Sequence, residues 1–262
     1  MRLTRIAWLR ISVILALLAG FALSPKLWLS TRLYPLTPLW SFVRPFPSPV
    51  DSILFFTLIG LFIAAAVVPR RGILIAVFVL LGAIAVQDQS RWQPWFYQYV
   101  LMLGALALAG TKRDRAALNT CCLIVAATYI WSGLSKVNPV FVDKTFPWLV
   151  QPFMGWVPAG AQGFVRSLAL AAPAFELAAG IGLLIRRFRF LALFSAIAMH
   201  VFVLAALGPL GRNSNPVVWP WNLAMIAFLL ILFFIRTDHP GAREIIWERG
   251  FPFQKIVLLF SR

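Results

Sequence analysis

"PAFELAAGIGLLIRRFRFLALFSAIAMHVFVLAAL", residues 173–207, is the stretch that decides the fold. Two apolar runs flank a short basic turn holding Arg186, Arg187 and Arg189. The runs belong to windows at 166–185 and 188–209, each close to the roughly 20 residues an α-helix needs to cross a bilayer. A turn this short makes the two helices antiparallel neighbours. Each window carries one ionisable side chain near its middle. Glu176 lies about ten residues into the first and His200 about eleven into the second, so at about 1.5 Å per residue they reach similar depth. A charge at mid-membrane costs roughly 2.5–3.5 kcal/mol, so such a residue is paired or functional. The expectation is that Glu176 bonds His200 or another polar side chain and does not face lipid, the pair serving as bundle glue, proton relay or polar ligand contact. Pro173 loosens the first helix where that carboxyl lies.

Outward from this hairpin the same pattern recurs. The 262-residue chain is 61% hydrophobic and only 12% charged, an excess of apolar side chains that one soluble core cannot hide. Apolar windows fall at 6–23, 50–68, 72–87, 95–110, 116–135, 166–185, 188–209 and 217–236. The expected fold is all-α: a single transmembrane helix bundle over residues 1–262, with about eight spans. The first window has the basic front of a signal peptide but no convincing cleavage site, and reads as an uncleaved helix. The segment 237–262 reads as a short cytoplasmic tail that can lie along the membrane.

The net charge of +16 is clustered between apolar runs and forms no basic face, so nucleic acid is not an expected partner. If the N-terminus is cytoplasmic, Arg2, Arg5, Arg10, Arg70, Arg71, Lys112, Arg113, Arg115 and the Arg186–Arg189 turn all fall inside. The positive-inside rule then puts both termini in the cytoplasm. The opposite loops are longer and rich in proline, tryptophan and asparagine, including "DQSRWQPWFYQY" (88–99), "KVNPVFVDKTFPWLVQPFMGWVPAG" (136–160) and "GRNSNPVVWPWN" (211–222). Tryptophan suits headgroup depth. Asp88, Arg91, Asn138 and Asn222 on the same side are not explained by an aromatic belt, and they suggest a site that opens outward.

Three groups of residues could carry chemistry. Tyr129, Ser132, Gly133 and Lys136 share one helical face. Lys136 is either a cation that snorkels to the membrane edge or a base in a desolvated site. The site reading points it into a cavity lined by Tyr129, Trp95 and the loop carrying Asn138. Asp88 and Arg91 form a cap or salt bridge, with Arg91 a candidate for an anionic group. Cys121 and Cys122 are adjacent and read as packing residues, since neither CxxC nor metal spacing is present. Zinc, phosphate-loop and nucleophile-elbow motifs are missing, and no metal site is expected.

"YIWSGLSKV" (129–137) resembles the lysine motif of the vitamin K-dependent gamma-carboxylase and its bacterial HTTM relatives. "FELAAGIGLLI" (175–185), followed by a basic turn, resembles the glutamate–glycine helix of DoxX-like proteins, to which MauE-like proteins are related. "VVWPWN" (217–222) resembles the aromatic–asparagine entry to a late HTTM helix. The resemblance implies a multi-pass protein of the cell inner membrane that binds membrane lipids and a quinone or another isoprenoid. It maps the catalytic lysine onto Lys136. The carboxylase histidine would fall at Trp95, and no large extracytoplasmic domain is present, so protein carboxylation is not expected. Lys136, Glu176 and His200 are the candidate catalytic residues; Asp88, Arg91, Trp95, Tyr129, Asn138 and Asn222 are the candidate ligand-binding ones. A second reading stands beside this one: a non-catalytic subunit packed against membrane-protein partners in a redox or photosynthetic complex.

Overall fold

The computed structural model describes residues 4–29, 35–68, 70–108 and 114–234, and all regular structure among them is helical. The long helices are α1 (Arg5–Leu23), α3 (Val50–Val67), α4 (Arg71–Ala85), α5 (Pro94–Leu108), α6 (Asp114–Ser135), α8 (Ala159–Leu184), α9 (Arg189–Leu207) and α10 (Val218–Leu229). Two short helices, α2 (Pro25–Trp28) and α7 (Phe146–Val150), lie in the connections, and a π-helical turn at Leu230–Phe234 extends α10. Five helices, α1, α3, α6, α8 and α9, are long and apolar enough to cross a membrane; α4, α5 and Val218–Phe234 are shorter apolar helices. The chain is a helical, multi-pass membrane protein. Large apolar side chains such as Phe56, Trp131, Leu191 and Phe194 lie exposed around the bundle, an arrangement suited to lipid and not to water. The expected interfacial tail at 237–262 lies outside the described residues.

The helices pack as three four-helix cells that share walls: α1–α3–α4–α5, α1–α5–α6–α10 and α6–α8–α9–α10. The first two hold the main core, where Phe21 stacks on Trp28 at 3.9 Å and packs against Phe62 and Trp95. The third holds Tyr129, Lys136, Glu176, His200 and Asn222.

Arginine side chains stitch one end of the bundle. Three arginines at helix starts, and Arg10 in the second turn of α1, donate to carbonyls at the ends of neighbouring helices. Arg5 bonds the Ile231 and Leu232 carbonyls, Arg10 reaches Ala66, Arg71 reaches Ala107 and Arg189 reaches Leu183. The last carbonyls of a helix lack intrahelical partners, and guanidinium groups can meet that need. We call this the basic end and the other, with the long connections, the loop end.

The tightest seam joins α6 and α8. A Cβ on Gly133 would sit 2.7 Å from the Pro173 carbonyl oxygen, and one on Gly180 would sit 2.8 Å from that of Ala126. Small residues at such seams let helix backbones approach. Gly133→Ala should therefore lower the thermal midpoint, the strain being about 1–3 kcal/mol. Gly60→Ala in α3, where nothing lies within 4 Å, should be neutral or slightly stabilising. Thermal unfolding of both variants in detergent checks the contrast.

Candidate functional site

The α6–α8 seam aims two side chains at each other. Helical side chains lean toward the N-terminus of their own helix. Lys136 closes α6 at the loop end, so it leans back toward the basic end. Glu176 is on the antiparallel α8, so it leans toward the loop end. They meet: Lys136 Nζ donates to Glu176 Oε1 at 2.7 Å, to Oε2 at 2.6 Å, and to Ser132 Oγ, one turn earlier, at 2.6 Å. The pair is largely shielded, with side chains 28% and 12% exposed. Lys136 therefore faces into the bundle and not toward headgroups.

A second chain of polar groups runs across the same level. Tyr129 Oη lies 2.5 Å from His200 Nε2, and His200 Nδ1 lies 2.7 Å from Asn222 Oδ1. Asn222 Nδ2 donates to the Val218 carbonyl, which leaves Oδ1 as the acceptor. His200 then carries its proton on Nδ1, and the Tyr129 hydroxyl donates to Nε2. Three helices are tied by one imidazole: α6 through Tyr129, α9 through His200 and α10 through Asn222.

Both groups line one cavity of about 840 Å³ inside the α6–α8–α9–α10 cell. Its remaining wall is almost wholly apolar. Phe146, Leu149 and Val150 from α7, with Phe153 and Met154 just after it, cover the loop end. The cover is held by Phe153 against Phe202 of α9, and by a small core of Phe141, Phe146, Val150 and Ala169. Arg212 anchors α7 from the α9–α10 loop, donating through Nε and Nη2 to the Trp148 carbonyl at 2.9 and 2.7 Å. Asn213 and Asn215 let that loop turn sharply, each with φ of 48°, a region asparagine tolerates.

Several expectations need correction. Glu176 has the polar partner expected of it, but that partner is Lys136 and not His200, which is taken by Tyr129 and Asn222. The reason is the glycine seam, which brings α6 closer to Glu176 than α9 comes. Asp88 and Arg91 are buried, 0% and 2% exposed, at the far side of the bundle and not in the cavity. Arg91 donates to the carbonyls of Leu27, Trp28 and Ile84, and Asp88 accepts from Ser90 and from the Thr37 amide. They fasten connections. Trp95 is a core residue stacked over Gly20, whose missing side chain makes room for the indole. Asn138 caps its own turn, donating to Ser135 O and accepting from the Phe141 amide, and it lines a smaller groove of about 250 Å³ behind Lys136. Among the described residues, no group of three or more His, Cys, Asp or Glu side chains could hold a metal.

The residues missed by sequence reasoning are the α7 cover and Trp221, which lines the cavity and donates to Gln98 Oε1 at 2.9 Å. No protein-family model, curated protein or solved structure matches the chain.

The pairing makes a specific mutational signature. Glu176→Gln leaves a lysine ammonium in an apolar wall with no counter-charge, and it should destabilise the protein measurably. Removing one partner of a fully buried pair costs about 3–5 kcal/mol, and the partial exposure of Lys136 reduces this. Lys136→Met combined with Glu176→Gln should recover much of the loss. A double-mutant cycle by thermal unfolding should give a coupling above about 1 kcal/mol; additive losses would mean the pair is not formed.

Proposed function

We propose that this chain is an HTTM/DoxX-like protein, akin in its membrane scaffold to the gamma-carboxylase, and that its cavity binds a quinone or another isoprenoid lipid. The observation that carries the reading is the gathering of five polar side chains, Tyr129, Lys136, Glu176, His200 and Asn222, in the wall of a largely apolar cavity. Small-molecule sites have this composition, and the volume lies within their usual range of about 300–1,000 Å³. A ring with carbonyl or hydroxyl groups would find donors and acceptors at one end and apolar wall along the rest. Lys136 supplies an ammonium already neutralised by Glu176, and the Tyr129 oxygen keeps lone pairs free to accept from a ligand hydroxyl.

On this reading all eight apolar helices span, both termini are cytoplasmic, and the protein sits in the cell inner membrane. The arginine-stitched basic end faces the cytoplasm, in accord with the positive-inside rule. The covered cavity then lies toward the outer side.

Two experiments test this. Protein purified from membranes should carry an isoprenoid lipid detectable by native mass spectrometry, and His200→Leu with Tyr129→Phe should lose it while keeping helical content. Retention of the same lipid by that double variant would remove the cavity as its site. For orientation, cysteines at Ser90 and Ser214 should react with an impermeant reagent from outside, while one at Arg70 should not; the reverse pattern would invert the topology.

A further inference from the structure

The cavity is not evenly polar along its length. Its charged and amide groups gather toward the middle of the bundle, and the α7 side is mostly apolar. Its lining runs along α8 from Val165 to Glu176 and along α9 from Ser195 to Leu207, so it is a slot about 16–18 Å long at 1.5 Å per residue. Near the basic end α8 and α9 are in close contact, where a Cβ on Gly182 would lie 2.8 Å from that of Ala192. Counting from that contact places Phe175 level with Met199, the residue after Ala198. Phe175 and Ala198 both line the cavity and both are exposed, Phe175 by 47%, and Ala198 shares its face of α9 with the exposed Leu191, Phe194 and Val201, which do not line the cavity. Ala171 and Leu168, further toward the loop end, share this double character. Glu176, next to Phe175, is about 12 Å from the basic end of α8. The gap between α8 and α9 thus opens sideways at mid-membrane depth, beneath the α7 cover.

The charges decide what can use such an opening. Lys136 and Glu176 are the only charged side chains that line the slot among the described residues, and they neutralise each other. A phosphate or zwitterionic headgroup would have to enter the middle of the membrane with no counter-charge left to meet it. A neutral head group loses little by going there and can bond Tyr129, His200 and Asn222.

Resting on the isoprenoid reading above, we propose that the ligand is a neutral lipid that binds head-first at mid-membrane. Its chain lies in the lateral opening between α8 and α9, framed by Ala171, Phe175 and Ala198. Phospholipids are excluded by charge, and the site is loaded from the bilayer and not from the outer aqueous face.

The test uses the full chain in nanodiscs and two probes, a chain-free 1,4-benzoquinone and its decyl-substituted homologue. Ala198→Trp fills the opening without touching the polar groups. It should weaken the decyl probe at least about tenfold, a loss smaller than the burial of two methylenes, and leave the chain-free probe within about twofold. Phe175→Ala widens the opening and should raise the association rate of the decyl probe only. It keeps the test decisive if Ala198→Trp does not fold. Equal effects on both probes, or none on either, would overturn the lateral opening while leaving the cavity as a binding site. Failure of both probes to bind the unaltered protein would overturn the isoprenoid reading itself, and this inference with it.

Discussion

Everything in the site depends on how closely α6 and α8 approach each other. Gly133 and Gly180 bring the two backbones almost into contact, and only then can Lys136 and Glu176 close on each other. The lean of side chains toward their own N-termini does the rest, because it points a lysine from one end and a glutamate from the other at a common level. With α8 fixed this way, α9 is held through the Gly182–Ala192 contact, and the cavity wall follows. His200 then serves α6 and α10 as a shared hinge post, bonded to Tyr129 on one side and Asn222 on the other. The polar groups are thus satisfied by one another in a place where water is scarce, which is the condition for keeping them there.

Much of the fold was legible in the sequence because lipid enforces a simple rule: apolar segments of sufficient length become helices. The eight apolar windows correspond to eight helices, five of them long and apolar enough to cross. Helix bounds were less legible. The 166–185 window begins at Ala159 in the structure, since Gly160, Gln162 and Gly163 interrupt the apolar run yet are compatible with a helix that starts after Pro158. The loop-end connections hid short helices for the same reason, their prolines marking breaks without showing what lay between them.

The site was half legible. Glu176 and His200 stood out because ionisable groups in apolar runs are rare, and their similar depth followed from antiparallel counting. Which partner each takes could not be read in one dimension, because that depends on the distance between helices, set by glycines whose spacing in sequence carries no mark of the neighbour. The cap expected of Asp88 is formed, but placing Asp88 and Arg91 among the ligand-binding residues misled for a related reason. A buried arginine that bonds three carbonyls and one that faces a ligand have the same sequence surroundings. Trp95 is a similar case: an indole near the membrane edge looks like a ligand platform until Gly20 is seen beneath it.

The helices also differ in length in a way that matters to the surrounding lipid. α4, closed at both ends within the described residues, has 15 residues and is about 22 Å long, while α8 has 26 and is about 39 Å long. They stand on opposite flanks, α4 in the first cell and α8 in the third. A hydrocarbon core of about 30 Å is too thick for one and too thin for the other. On the proposed eight-span arrangement the bilayer thins beside α4, whereas α8 tilts or emerges. The molecule would then impose a thickness gradient on its own annulus of lipid, with the proposed lateral gap beside α8 on the thicker side.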